Sequence, residues 1–152
     1  MEKLPEVENA KALMNEAIAW SVMRWLREKK KVRKAADQAN AALDQLRQSV
    51  QQRWPDSLRA AYESHGTKAA GAAGRSQPKQ RSIDPEESLI AKKVKEADED
   101  ARRARMDAED TFDEAERQLS TTLAREGCRK AIHSWELHEK AIRKAEAVVA
   151  SK

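Results

Sequence analysis

Apolar residues recur through the first fifty positions at the spacing of a coiled-coil seam. Ile18, Trp25, Val32, Ala39 and Leu46 fall every seven residues, and Val22, Lys29, Ala36, Leu43 and Val50 stand four positions after them. Alternating steps of four and three place such a set on one side of a helix. Lys29 is the one polar member, and a single polar seam position is a common device for setting register. Pro5 suits the first turn of a helix, and Glu6 and Glu8 suit its positive end. Pro55 interrupts the pattern, because an interior proline removes a backbone hydrogen bond and clashes with the preceding turn. These features predict a first helical arm over 1–64 with a kink near Pro55.

A second apolar stripe follows Asp84-Pro85-Glu86-Glu87, which has the N-cap, first-turn proline and third-position glutamate of a helix start. Ala97, Ala101, Ala104, Ala108, Phe112, Ala115, Leu119 and Leu123 repeat with an eleven-residue period, which needs almost no supercoil. Beyond Gly127 the period becomes seven, through Cys128, Trp135, Ile142 and Val149, with Ala131, His138 and Ala145 between. The pattern predicts a continuous second arm over 84–152, with Gly127 as the point where a break would fall. Between the arms, 65–83 holds three of the four glycines and no large apolar residue up to Ser82, and so predicts a flexible linker. Its Gly-x-x-Gly spacing lacks the preceding strand and the closing Gly-Lys-Ser/Thr of a phosphate loop.

Two arms around one linker predict an all-α fold: a long antiparallel helical hairpin with coiled-coil seams. With the turn near residue 74, residues whose numbers sum to about 148 should face each other, since both arms rise equally per residue. Self-association into a helical bundle is expected to cover the apolar faces that a lone hairpin leaves open.

Composition supports helix and removes alternatives. The chain has 152 residues, of which 27 are Ala, with only four Gly and four Pro. Charged residues make up 37% and aromatic residues 4%. Many strong helix formers and few breakers exclude sandwiches, barrels and collagen-like repeats. A single Cys excludes an intrachain disulfide framework. No apolar run approaches the ~18 residues of a spanning helix. A mixed-charge start without a secretory pattern, together with the lone Cys, makes a cytoplasmic location the expectation.

The net charge of +4 is unevenly spread. Residues 1–34 carry +4, 35–82 carry +3, 83–126 carry −6 and 127–152 carry +3. The basic stretch Arg24, Arg27, Lys29, Lys30, Lys31, Arg33 and Lys34 is a candidate anion-binding surface, for nucleic acid or an acidic membrane. The hairpin register offers a competing role for it. Lys31 to Lys34 would lie opposite Glu114 to Arg117, so internal or inter-subunit ion pairing is the favoured reading.

Nothing in the sequence indicates catalysis, a metal or a cofactor. The Glu-x-x-His pair of di-iron bundles is absent. His133 and Glu136 share a helix face but lack further ligands, His138 points elsewhere, and all three histidines, with His65 beside the linker, read as exposed structural residues. Cys128, in the seam, reads as buried and inert. The expected function is a non-enzymatic helical interaction or scaffold protein. Its candidate interface is Leu13, Met14, Trp20, Met23 and Trp135 at the apolar, Trp-bearing end, and its expected partners are itself, as a dimer, and another protein. The alternative is an anion-binding module using Arg24, Arg27, Lys30, Lys31, Arg33 and Lys34.

Overall fold

The computed structural model describes residues 3–66 and 85–150. These form helices only: α1 (Pro5–Ala17), α2 (Val22–Gln52), α3 (Asp56–Gly66), α4 (Pro85–Gln118) and α5 (Thr121–Ala150). The predicted linker lies almost wholly outside the described residues, as does the Asp84 cap. His65 and Gly66, assigned to the linker from sequence, are instead the last turn of α3.

Each arm is broken once where the apolar period runs straight through. In the first, the backbone tightens at Ala19 and Trp20, whose amides bond the carbonyls of Glu16 and Ala17. Ser21 then extends, and its Oγ accepts the Arg24 amide at 3.2 Å to cap α2. In the second, the break falls at Leu119-Ser120 and not at Gly127. The Ser120 amide bonds the Ala115 carbonyl and the Leu119 amide bonds that of Glu116, a Schellman ending. Ser120 Oγ then accepts the Leu123 amide and caps α5. Pro55 separates α2 from α3 as its geometry requires.

Gly127 sits inside α5 for a packing reason. A Cβ there would stand 2.8 Å from Cδ1 of Phe112 on α4, so glycine lets the two antiparallel helices approach. The Phe112 ring is held in turn by Trp25 of α2, stacked at 6.5 Å with 8° between the planes.

These turns gather the helices into a bundle within one chain. α5 packs against α1, α2 and α4, while α3 lies along the start of α4. At one end, the tip, the two turns meet: Arg125 Nη2 donates to the Trp20 carbonyl at 3.0 Å. At the other end Trp54 Nε1 donates to the Ala145 carbonyl, Ser57 Oγ bonds Glu87, and His65 bonds Ser88. Along the middle α2 is tied to α4 by long polar side chains, Arg33 to Glu116, Asp44 to Arg105 and Gln51 to Asp98. Trp135, Met14, Leu43, Leu58 and Ile142 are the largest fully buried side chains. Burying each apolar side chain of this size contributes about 1.5–3 kcal/mol.

Candidate interaction surface at the bundle tip

Folding back redistributes the residues placed on an interface from sequence. Met14, Trp20 and Trp135 are buried, and Leu13 is packed partly buried against the core. Of the five, only Met23 is exposed. Trp135 donates Nε1–H to Asn40 Oδ1 at 2.9 Å, inside the bundle. Trp20 lies in the α1–α2 turn and not on a helix. Its ring packs on Trp25 at 5.9 Å beneath the Arg24 guanidinium, 4.8 Å from the ring centroid. The Trp-bearing end is therefore core, and the exposed apolar surface lies just outside it.

That surface is made of Val22, Met23, Leu26 and Leu119, which are 50%, 73%, 48% and 76% exposed. Val22 and Leu26 border a groove of about 200 Å3 between α2 and the α4–α5 turn, with Trp25 and Ala115 in its wall and Lys29 and Glu116 along its edge. The polar seam position Lys29 thus borders this groove, while Trp25, one seam step nearer the tip, is still buried. Leu119 is distinct because it has φ 50°, the left-handed conformation. That conformation costs a side-chain-bearing residue roughly 1–2 kcal/mol, and glycine is the usual occupant of the position.

The basic stretch divides into paired and unpaired members. Arg24 bonds both Glu16 and Glu28, and its hydrogen bond holds the Glu28 carboxyl below the usual range. Lys31 also reaches Glu28. Arg33 bridges to Asp113 at 3.1 Å and Glu116 at 3.4 Å across to α4, and its guanidinium lies over the Phe112 ring. Arg27, Lys30 and Lys34 are exposed and form no ion pair among the described residues.

The remaining chemistry-bearing groups are structural in placement. Asp98 is buried, accepts the Tyr62 hydroxyl, and lies 3.5 Å from Gln51 Nε2 and 3.9 Å from Arg47. Burial pushes its carboxyl above the usual range against the pull of Tyr62 and Arg47. His138 is buried and not exposed as the sequence suggested, and its Nε2 has no protein partner. Burial first, then the charge of Arg105, pushes it down to about 4. His65, also read as solvated, is half-buried and bonded to Ser88. Cys128 is buried, and burial pushes its thiol up to about 12. No group of three metal-ligating side chains occurs among the described residues, and none of their helices is long and apolar enough to cross a membrane. No protein family, curated protein or solved structure matches the chain.

Sequence reasoning missed Val22 and Leu119 as surface residues because both fit the apolar stripes. The signal that would have found Leu119 is Ser120-Thr121-Thr122, a run of hydroxyl residues suited to capping a new helix.

Proposed function

We propose that this protein is a non-enzymatic helical interaction module whose working surface is the apolar tip formed by Val22, Met23, Leu26 and Leu119. The observation that carries this reading is Leu119. It holds a strained backbone that glycine would relieve, yet its side chain is 76% exposed and contributes little to its own core. Strain retained at one position, on the same groove as the exposed Val22 and Leu26, is accounted for by contact with another surface. The rigid bundle behind it, pinned by Gly127 against Phe112 and by Arg125 on Trp20, presents the patch without needing to reorganise.

A photo-activatable cross-linking residue at Met23, in the cells that make the protein, tests this reading. Covalent protein adducts are expected at Met23 and not at Glu136, which is exposed on α5. Equal or absent yields at the two positions would overturn it.

A second reading, polyanion binding, is supported by the unpaired Arg27, Lys30 and Lys34 on the exposed side of α2. Retention on immobilised heparin that weakens steeply with salt, and is lost on replacing these three by Gln, is its expected signature.

A further inference from the structure

The partner of the tip follows from the charges beside it. The four apolar side chains expose on the order of 400 Å2, about half of the ~800 Å2 per partner of a standard interface. A stable contact must therefore run on from the tip down the open α2–α4 face. There α2 presents a basic column, Lys29, Lys30 and Arg33, and α4 an acidic one, Asp113 and Glu116. Arg33 already bridges to both carboxylates, but Asp113 and Glu116 remain 57% and 49% exposed and open to a second cation.

Resting on the reading of the tip as an interaction surface, we infer that it docks a second copy of this chain about a two-fold axis parallel to the bundle, α2 of each copy lying against α4 of the other. Such an axis sets apolar tip on apolar tip and brings each basic column onto an acidic one, twice over, as an isologous contact requires. The other in-plane two-fold, perpendicular to the bundle, would set α2 on α2 and like charges together. An anionic lipid surface fits less well, because Glu116 edges the groove itself.

Sedimentation equilibrium on the full chain tests this with paired charge reversals. The wild type is expected to dimerise, less strongly as salt rises. Lys29→Glu with Lys30→Glu, and separately Asp113→Lys with Glu116→Lys, should each dimerise at least tenfold more weakly, and mixing the two variants should restore a dimer containing one of each. Helix content is read by circular dichroism. Should either reversal unfold the chain, Lys29→Gln with Lys30→Gln replaces it, and a several-fold weaker dimer is then expected. A monomeric wild type, charge variants that dimerise unchanged, or a mixture that stays monomeric would overturn the inference. A monomeric wild type that still forms adducts with other proteins at Met23 would overturn the choice of partner and leave the tip as an interaction surface. Monomers without adducts would overturn both.

Discussion

Gly127 and Phe112 meet across the α4–α5 turn with no room between them, a Cβ on Gly127 falling 2.8 Å from Cδ1 and 2.9 Å from Cε1 of the ring. The ring has no easy retreat, since Trp25 stacks on it and the Arg33 guanidinium lies over it. Replacing an interior helical glycine by alanine ordinarily stabilises by about 1 kcal/mol. Here overpacking, which costs about 1–3 kcal/mol, should win. Gly127→Ala is expected to lower Tm, and Phe112→Leu in the same chain should recover part of the loss. Thermal melts of the two single variants and the double variant measure the coupling.

Trp20 and Met23 are three residues apart and should behave oppositely. Trp20 is buried against Trp25 and Arg125, so Trp20→Ala is expected to cost about 3–5 kcal/mol. Met23 is largely exposed, so Met23→Ala should change stability by less than about 0.5 kcal/mol. Urea unfolding of both variants checks the difference. Equal losses would place Met23 in the core.

The turns explain how much of this was legible in the sequence. The α2 seam from Trp25 to Val50, the break at Pro55, and the seam from Cys128 to Ile142 are written in apolar spacing, and their residues are buried apart from Lys29 and the partly buried Leu46. Periodicity cannot register a turn that happens to keep phase. Ile18 precedes the first break and Leu119 lies within the second, yet each fits its stripe, and neither turn contains glycine or proline to mark it. Once those turns are missed, the chain reads as two long arms. Met14, Trp20 and Trp135 then look available for a partner when α1 and α5 in fact cover them. The exposed tip was hidden for the same reason: Val22 and Leu119 look like seam residues until the turns place them at the end of the bundle.

His138 should make the fold sensitive to acid. Burial and the neighbouring Arg105 push it down to about 4, while an unfolded histidine titrates near 6.5. Between those values the unfolded chain takes up a proton that the folded chain does not. Its contribution is therefore intact above about pH 6.5 and falls as pH drops towards 4, by up to about 3 kcal/mol. Asp98, raised by burial, works in the opposite direction, since the folded state binds its proton more readily. The comparison that isolates His138 is wild type against His138→Gln, by urea unfolding at several pH values. The difference should shrink by about 1.4 kcal/mol per pH unit across the window.

Cys128 should be silent while the protein is folded. Burial pushes its thiol up to about 12, so almost no thiolate is present to react. Labelling by a disulfide reagent at mildly alkaline pH should be slow in native buffer and fast in denaturant. Rapid native labelling would show that the seam opens around Cys128.

The most direct test of the tip as the working surface is Leu119→Gly, followed by melting temperature and by cross-linking yield at Met23 on the same variant. Glycine relieves the left-handed backbone while removing the exposed side chain, so Tm should hold or rise by a few degrees while adducts fall several-fold. A variant that melts earlier and keeps its adducts would contradict it, because Leu119 would then serve the fold and not the surface.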